Sequence, residues 1–225
     1  MKYIEDLCQK NKVLSNIKSD IICAYDIIKN TFENNKKILL CGNGGSASDC
    51  AHIVGELMKG FKNKRAIDKN TQDNIKYVIN DLLSKNNVNN YIDKYDDMLV
   101  NLEQGLPAID LTSFVSLNTA YINDKNPLYV YANAVLGLGM EQDTLICIST
   151  SGNAKNVLNA AIVAKAKKMN VVALTGKNGG DLKNISDVSI VVPLDETYAI
   201  QEEHISIYHA ICLDIENYFF EEKYA

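Results

Sequence analysis

His52 and Glu56 are the residues of this sequence whose types and spacing most directly suggest chemistry. They lie four residues apart in a segment whose apolar residues recur at helical spacing, which places both side chains on one face of a helix. An imidazole and a carboxylate one turn apart can share a metal ion or transfer a proton. For an isolated pair the commoner role is a solvated ion pair, so the rest of the chain has to decide between these interpretations.

A glycine-rich loop precedes that helix and follows the short apolar run 38–41, which predicts a buried strand. Its residues are Gly42, Asn43, Gly44, Gly45 and Ser46. Glycines allow positive φ and bring backbone N–H groups close to an anion, and the positive end of the following helix dipole points at the same place. The sequence therefore predicts a phosphate-binding loop between a strand and a helix.

Two nucleotide-binding loops are alternatives for this stretch. A Walker A loop needs lysine and serine or threonine directly after the glycines, but the first lysine here is Lys59, which excludes it. Gly42, Gly44 and Ala47 do match the G-x-G-x-x-A fingerprint of dinucleotide-binding enzymes. Because no acidic residue closes a second strand about 20 residues later, this interpretation is the minor alternative.

A second loop of the same kind follows the predicted strand 144–148 and precedes a helical repeat at 157–169. Its residues are Ser149, Thr150, Ser151, Gly152 and Asn153. Short hydroxyl side chains and free N–H groups at the start of a helix also bind anions. One such loop would be an ordinary helix cap, whereas two that follow two strands favour a shared anion site.

The elements that carry these loops alternate between strands and helices, which is typical of a parallel sheet with helices on both faces. The predicted strands are 38–41, 106–111, 144–148, 171–175 and 187–192. The predicted helices are 3–32 with a break near Asn11, the helix after the first loop, 113–121, 127–137, 157–169 and one that begins near Thr197. The fold class is therefore α/β, with a five-stranded parallel sheet sandwiched by helices.

The interval 62–104 interrupts this alternation. It is rich in Lys, Asn and Asp, a composition that favours disorder, yet apolar residues keep a 3.6-residue period on both sides of Asn86 and Asn87. We therefore predict a helical hairpin inserted in a single domain that spans 1–225. An insert at this position would serve as a lid or as a contact in an oligomer.

Composition limits the partners of the protein. The 225 residues are 47% hydrophobic and carry a formal net charge of -5, with 23 basic and 28 acidic residues. This charge provides no electrostatic footprint for nucleic acid or an anionic membrane, so a small-molecule partner is expected. The six cysteines lack C-x-x-C spacing, and no segment resembles a signal peptide or a membrane span, which predicts a soluble cytoplasmic protein with reduced cysteines.

Several segments together resemble the SIS (sugar isomerase) family of phosphosugar-binding domains, and within it the phosphoheptose (sedoheptulose 7-phosphate) isomerases. These segments are the loop 41–46, the Asp49-x-x-His52-x-x-x-Glu56 helix, Asn123-Asp124, the loop 148–153, 174–176 and the Gln201-Glu-x-His-x-x-x-x-His209 helix. The resemblance covers nearly the whole chain outside the insert. It implies a flavodoxin-like SIS fold and a homotetramer in which the last helix and the first loop meet across subunits.

The resemblance also implies the residues of the site. Substrate contacts are implied at Asn43, Gly44, Gly45, Ser46, Asn123, Asp124, Ser149, Thr150, Ser151 and Gln201. A divalent metal, zinc, is implied with the ligands His52, Glu56, Gln201 and His209. The chain departs from the family pattern at Ala154, where serine is usual, and at Tyr198, where aspartate is common.

An aldose-ketose isomerase moves a proton between neighbouring carbons through an enediol, which requires a base, an acid and stabilisation of negative oxygen. We assign the base to Glu56 and the acid to His209, with the metal as a Lewis acid, and expect sedoheptulose 7-phosphate to be converted to a heptose 7-phosphate. The alternative is a non-catalytic SIS domain that senses a phosphosugar or binds and regulates a protein. A sensor has no need of His52, Glu56 and His209 together, which favours the enzyme.

Overall fold

Five parallel strands form the centre of the computed structural model, which describes residues 1–86 and 92–221. The strands are β1 (Ile38–Gly42), β2 (Ala108–Asp110), β3 (Thr144–Ser149), β4 (Asn170–Gly176) and β5 (Val188–Val192). They pair in the order β2-β1-β3-β4-β5, and each pairing is parallel. The predicted fold class is confirmed, in the strand order of flavodoxin-like proteins.

Helices flank this sheet on both faces. They are α1 (Lys2–Lys10), α2 (Lys12–Ser15), α3 (Lys18–Glu33), α4 (Gly45–Met58), α5 (Lys69–Asn86), α6 (Ile92–Asn101), α7 (Val115–Asp124), α8 (Val130–Leu138), α9 (Lys155–Ala166), α10 (Leu182–Ile185) and α11 (Thr197–Phe220). Within the described residues, none of these helices is both long enough and apolar enough to span a membrane. The six cysteines are free, as their spacing predicts.

Alternate residues of each strand face two separate cores, because successive side chains of a strand point to opposite faces. Ile38 and Leu40 of β1 pack with α1, α3, α4 and α11, whereas Leu39 and Cys41 pack with α8 and α9. All positions of β1 and β3 are buried. Strands buried on both faces appear in a sequence as continuous apolar runs, which is why these two are predictable from the sequence.

The predicted amino-terminal helix is divided twice. The first break lies at Asn11, as predicted, where the side-chain Oδ1 accepts hydrogen bonds from the first N–H groups of α2. A second break, at Ile17, separates α2 from α3. The breaks let α1 pack on α11, where the Asp214 carboxylate accepts hydrogen bonds from the first turn of α1.

The second strand is shorter than the predicted range 106–111. Pro107 has no N–H group to donate to a ladder. At the other end, the Asp110 carboxylate accepts a hydrogen bond from the Thr112 N–H and starts a 3-10 turn. β2 is confined to the residues between these two local signals.

The helices after β2 also differ from the prediction at their ends. α7 extends beyond 121, so Asn123 and Asp124 form its last turn and do not lie between two helices. Pro127 opens a 3-10 turn, and the α-helix begins only at Val130. α9 lies further toward the amino end than the predicted 157–169, and the four residues of α10 are too few to show a period in the sequence.

Two helices, α5 and α6, occupy the interval 62–104, as its periodicity predicts. The residues between them, 87–91, which include Asn87, lie outside the described part of the chain. An antiparallel bridge between Ala66 and Glu103 closes the base of the interval, and the Glu103 carboxylate accepts a hydrogen bond from the Gly60 N–H. The interval therefore begins and ends beside the carboxyl end of α4, and the division into one domain with an insert stays a prediction.

Candidate active site

The two predicted anion loops lie side by side at one edge of the sheet. β1 and β3 are neighbours, and Gly42 at the end of β1 pairs with Ile148, one residue before the end of β3. From these two strands the sheet grows outward in opposite directions, and α4 and α9 pack on opposite faces. The crevice at such a reversal, at the carboxyl ends of the strands, is where open α/β sheets bind ligands.

The first loop requires glycine for steric reasons. Gly44 has a φ of +57°, a conformation that other residues rarely adopt. A Cβ atom on Gly42 would lie 2.7 Å from the backbone carbonyl oxygen of Ser46, whereas one on Gly45 would displace only the flexible side-chain amide of Gln201. α4 then begins without a side-chain cap. The loop therefore presents backbone N–H groups to the crevice.

The second loop has a similar construction. Gly152 has a φ of +66°, and a Cβ atom there would collide with the loop that follows β4. Ser149 is buried, whereas Thr150 and Ser151 are partly exposed. Ala154 occupies the N-cap position of α9 and offers no side-chain acceptor, while the Val157 N–H donates to the side-chain oxygen of Asn156 at 3.0 Å. The N–H groups that precede Val157 in this first turn can bind an anion.

Hydrogen bonds join the first loop to the first turn of α9, which follows the second loop, and to α8. The side-chain amides of Asn43 and Asn156 each donate to the other across 2.9 Å. Tyr131 of α8 donates its hydroxyl to the Gly42 carbonyl at 2.8 Å. Burial raises the pKa of Tyr131 to about 12, which keeps this donor protonated at neutral pH. The separation of the loops is therefore fixed before a ligand binds.

Three ionisable side chains meet at the carboxyl halves of α4 and α11. The two helices run in the same direction, because Gly45 faces Gln201 and His52 faces His209. Nε2 of His52 lies 3.1 Å from Oε1 of Glu56 and 3.4 Å from Nε2 of His209. One ligand atom from each residue lies within 4.8 Å of the other two. The pair on one helix face is thus joined by a histidine 157 residues further along the chain.

The cluster of His52, Glu56 and His209 has a donor set that can hold a divalent metal ion. Zinc binds nitrogen and oxygen ligands at about 2.0–2.2 Å in a tetrahedron, so neighbouring ligand atoms are about 3.3–3.6 Å apart. The separations of 3.1 and 3.4 Å around His52 Nε2 are close to this edge length. One hydrogen on Nε2 would not serve both neighbours, whereas a cation attracts all three lone pairs. The residues present therefore fit three ligands of a divalent metal.

His209 has the properties of a group that can bind a cation or exchange a proton. Burial and the neighbouring His52 lower the pKa of His209 below its usual range, while Glu56 acts in the opposite direction. His209 is therefore mainly neutral at pH 7, the state in which its nitrogen offers a lone pair. The Phe61 ring, with its centroid 5.4 Å from that of the imidazole, gives apolar cover, which strengthens the electrostatic interactions beneath it.

Gln201, predicted as a fourth ligand, does not join the cluster within this chain. It precedes His209 by eight residues on the continuous helix α11, which is about 12 Å along the axis. Its side-chain amide instead covers Gly45 at the first anion loop. The contact between last helix and first loop that the resemblance implies across subunits is therefore made within one chain.

Asn123 and Asp124 are exposed at the end of α7. The Asn123 side-chain amide donates to the Asp124 carboxylate at 2.8 Å. In the described part of the chain, neither side chain makes a hydrogen bond to the two anion loops. The structure thus brings together the other predicted substrate contacts but does not add this pair to them.

A buried ion pair fixes the carboxyl end of α4 to α11. Arg65 is 1% exposed and Glu216 is fully buried, and Nε of the first lies 2.9 Å from Oε1 of the second. The guanidinium also donates to the carbonyl groups of Glu56 and Leu57, at 3.0 and 2.6 Å, and so caps α4. The Glu216 carboxylate accepts hydrogen bonds from the N–H groups of residues 61–63. The pair therefore holds both the helix end and the adjoining loop beside the cluster.

These positioning residues are hard to find by reasoning from sequence. Asn156 and Tyr131 belong to no recognisable motif. One signal was available, because Arg65 is the only arginine among the 23 basic residues of the chain. A planar guanidinium with five donors suits a buried pairing that an ammonium group would serve poorly.

Comparison with known proteins identifies the class of protein. The sequence pattern of the SIS domain family matches residues 2–94 and 102–176. The chain therefore belongs to the SIS domain family. The match continues through most of the interval 62–104 and ends before α11, so the His209 helix lies beyond it.

Two relatives with known names show which group within the SIS domain family this chain resembles. The phosphoheptose isomerase of Helicobacter pylori (strain ATCC 700392 / 26695) is 36% identical over 208 residues, which cover 92% of this chain and 88% of that protein. The phosphoheptose isomerase of a Nitratiruptor species is also 36% identical over 208 residues, with coverage of 92% and 91%. The resemblance to phosphoheptose isomerases is confirmed, and the chain is an isomerase of the sugar-phosphate class.

Solved structures agree with these relationships. A phosphoheptose isomerase from Francisella tularensis superposes with a TM-score of 0.72 at 30% identity, over 96% of this chain and 95% of that chain. The phosphoheptose isomerase from Neisseria gonorrhoeae superposes with a TM-score of 0.70 at 30% identity, over 92% and 91%. The described fold is therefore that of this group of enzymes.

Proposed function

We propose that the chain is an aldose-ketose isomerase that converts sedoheptulose 7-phosphate to a heptose 7-phosphate, with Glu56 as base and His209 as acid. The observation that carries this proposal is the convergence of His52, Glu56 and His209 on one point, next to a crevice with two anion loops. The relatives named as phosphoheptose isomerases support a seven-carbon substrate.

The length of the crevice also supports a long sugar phosphate. Gly45 at the anion loop and His52 at the cluster are seven residues apart on α4, which is about 10 Å along the helix axis. A substrate with its phosphate at the loop and its carbonyl group at the cluster has to extend over roughly that distance. An open-chain heptose phosphorylated on its last carbon has this shape, whereas a triose phosphate is too short.

Recognition of the phosphate is assigned to the two loops. Their N–H groups and the hydroxyls of Ser46, Ser149, Thr150 and Ser151 would surround the phosphate oxygens. The proposed contacts to the sugar are Asn43, Gly44, Gly45 and Gln201. Asn123 and Asp124 would take part in the assembled homotetramer.

In the proposed reaction, Glu56 removes the proton from the hydroxyl-bearing carbon next to the carbonyl group. The electrons of that C–H bond form the C=C bond of the enediol, while the carbonyl oxygen takes a proton from the protonated form of His209, the minor form at pH 7 because its pKa is lowered. The hydroxyl on the first carbon then gives its proton to His209 as its oxygen becomes the new carbonyl. Glu56 returns its proton to the neighbouring carbon, so both groups end in their starting states.

A divalent metal, zinc in this proposal, would be held by His52, Glu56 and His209. Gln201 would complete the ligand set from another subunit of a homotetramer, because within one chain it lies two turns from the cluster. When bound, the metal would supply Lewis-acid stabilisation of negative charge on the substrate oxygen.

The test is turnover of sugar phosphates in D2O. Sedoheptulose 7-phosphate should isomerise and gain deuterium at the carbon next to the carbonyl group, as detected by NMR and mass spectrometry. Unphosphorylated sedoheptulose is the matched control, and titration with NADH should produce no change in fluorescence. A protein that binds sugar phosphates but exchanges no proton with any of them would be a sensor, and the proposal would be wrong.

A further inference from the structure

A hydrogen-bonded chain joins Asp49 of α4 to Tyr208 of α11 and Tyr208 to Nδ1 of His52, the ring nitrogen on the side away from the cluster. The Tyr208 hydroxyl lies 2.8 Å from Nδ1 of His52 and 3.4 Å from Oδ1 of Asp49. Tyr208 is 4% exposed and Asp49 is 7% exposed, so water has little access to compete for these groups. Asp49 precedes His52 by three residues on α4, which puts both on one face of the helix.

The direction of these hydrogen bonds follows from the groups involved. An ionised carboxylate can only accept, and a tyrosine hydroxyl is protonated at neutral pH and has one hydrogen to donate. The Tyr208 hydrogen therefore goes to Asp49, and the phenolic oxygen is left to accept from His52. The contacts on this side of the ring therefore favour hydrogen at Nδ1 of His52 and a lone pair at Nε2.

Nε2 is the atom of His52 that faces the cluster. It lies between Oε1 of Glu56 and Nε2 of His209, at 3.1 and 3.4 Å. Without a metal, the Glu56 carboxylate can accept a hydrogen from this nitrogen, so Glu56 on one side of the ring opposes Tyr208 and Asp49 on the other. With the hydrogen on the opposite side of the ring, all three atoms can present lone pairs to one cation.

We propose that Tyr208 is a positioning residue which, with Asp49, holds His52 in the Nδ1–H tautomer and directs its Nε2 lone pair into the cluster. The part of this inference that concerns metal affinity rests on the proposed function, whereas the tautomer does not. The Tyr208 ring packs edge-on against the rings of His52 and His209, and its hydroxyl acts through His52.

The environment of the Asp49 carboxylate indicates that its hydrogen bond to Tyr208 has a role beyond packing. Its second oxygen, Oδ2, is buried and has no hydrogen-bond partner among the described residues. A buried unsatisfied carboxylate oxygen destabilises the fold, and an apolar residue of similar size would remove that penalty. The one contact that only a carboxylate secures here is acceptance of the Tyr208 hydrogen, which in turn sets the direction of the bond to His52.

The test begins with the histidine ring nitrogens of the metal-free protein. The chain has three histidines, so a protein labelled with 15N-histidine gives three pairs of ring signals, which single His variants assign. In mildly alkaline buffer, where neutral imidazole predominates, wild-type His52 should be the Nδ1–H tautomer. Tyr208→Phe should move it to mainly Nε2–H, the tautomer that free histidine favours.

A second variant, Asp49→Asn, is designed to reverse the direction of the hydrogen bonds while keeping the Tyr208 side chain. Asp49→Asn keeps the shape at this position, but an amide can donate to the phenolic oxygen, which frees the Tyr208 hydrogen for Nδ1 of His52. This variant should also move His52 toward the Nε2–H tautomer. The control is Tyr218→Phe, which removes a hydroxyl from an exposed tyrosine of the same helix and should leave His52 unchanged.

Zinc affinity is the second readout. Tyr208→Phe should weaken zinc binding by about 10–100-fold, the usual effect of removing a group that orients a ligating histidine, while Tyr218→Phe should match the wild type. An Nδ1–H tautomer retained in both Tyr208→Phe and Asp49→Asn would overturn the inference. A wild-type protein with the Nδ1–H tautomer but no turnover of any sugar phosphate would support the inference and contradict the proposed function.

Discussion

The two ends of the α4 and α11 pair are built in opposite ways. At the amino ends, Gly45 faces the side-chain amide of Gln201, and the groups that face the crevice are backbone N–H groups of a helix without a side-chain cap. At the carboxyl ends, the same helices meet through the cluster of His52, Glu56 and His209 and through a buried ion pair. The amino ends therefore offer backbone N–H groups to a ligand, whereas the other end of the pair offers side chains.

This difference explains which end can be recognised in a sequence. A surface of backbone N–H groups requires that side chains be absent, so it appears as a local run of glycines. A surface of side chains on two helices requires the correct pairing of residues 157 positions apart, which no local pattern displays. Substitutions should therefore have larger and more specific effects at the carboxyl ends, where single side chains carry the function.

The largest effect is expected from Glu56→Gln, which changes the proposed base in the cluster. The amide keeps the shape and one oxygen but has no basicity, so turnover of sedoheptulose 7-phosphate should fall by about two to four orders of magnitude. Binding of the sugar phosphate, measured by calorimetry, should stay close to the wild-type value because the anion loops are unchanged. Glu202→Gln, at an exposed carboxylate of α11, is the control and should keep full turnover. Unimpaired turnover in Glu56→Gln would remove Glu56 from the role of base.

Arg65→Met tests the ion pair that holds the same end together. It leaves the buried Glu216 carboxylate without its cation, so the free energy of unfolding in urea should drop by about 3–5 kcal/mol. The double variant with Glu216→Leu should recover part of the loss, because no charge is then left buried alone. Lys85→Met, in the exposed pair with Asp81, should have little effect. Equal effects of Arg65→Met and Lys85→Met would contradict this account of α4.

Ser46→Ala and Thr150→Ala probe the amino end. Each should weaken binding of the sugar phosphate by about 1–3 kcal/mol, the cost of one charge-assisted hydrogen bond, since the backbone N–H groups remain. Zinc affinity should not change. Ser48→Ala, at an exposed serine in the first turn of α4, is the matched control for calorimetry. If unphosphorylated sedoheptulose bound as tightly as its phosphate, neither loop would be a phosphate site.

The fold was largely predictable because its strands are local apolar runs and its loops are local glycine and serine patterns. β1 and β3 are buried at each position, and the parallel sheet follows from the alternation of strands and helices. The ends of β2 and α7 were not predictable from periodicity, because single capping contacts such as the one from Asp110 determine them. For the site, the pair on α4 could be derived from spacing, whereas His209 was assigned through the family resemblance.

His204 lies between the two ends on α11, and its environment predicts a smaller effect that depends on pH. The residue is fully buried, its Nε2 lies 3.2 Å from the Thr175 carbonyl oxygen, and its Nδ1 has no partner among the described residues. A carbonyl oxygen can only accept, so Nε2 carries the hydrogen and the ring is neutral. Burial lowers the pKa of His204 from 6.5 to about 4, with the Thr175 carbonyl opposing that shift.

The direction of this pH dependence follows from the number of protons that His204 binds in the folded and in the unfolded chain. Between pH 6.5 and 4 the unfolded chain binds a proton at His204 that the folded chain does not, so this residue lowers stability as the pH falls. From pH 6.5 to 5.5 the expected loss is about 1 kcal/mol of unfolding free energy. His204→Gln keeps an N–H donor for Thr175 but does not titrate, so urea unfolding at the two pH values should show that much less loss in the variant. The other histidines titrate in both proteins and cancel in the difference. An equal loss in the two proteins would mean that His204 is protonated in the folded state, and the hydrogen-bond assignment in the middle of α11 would be wrong.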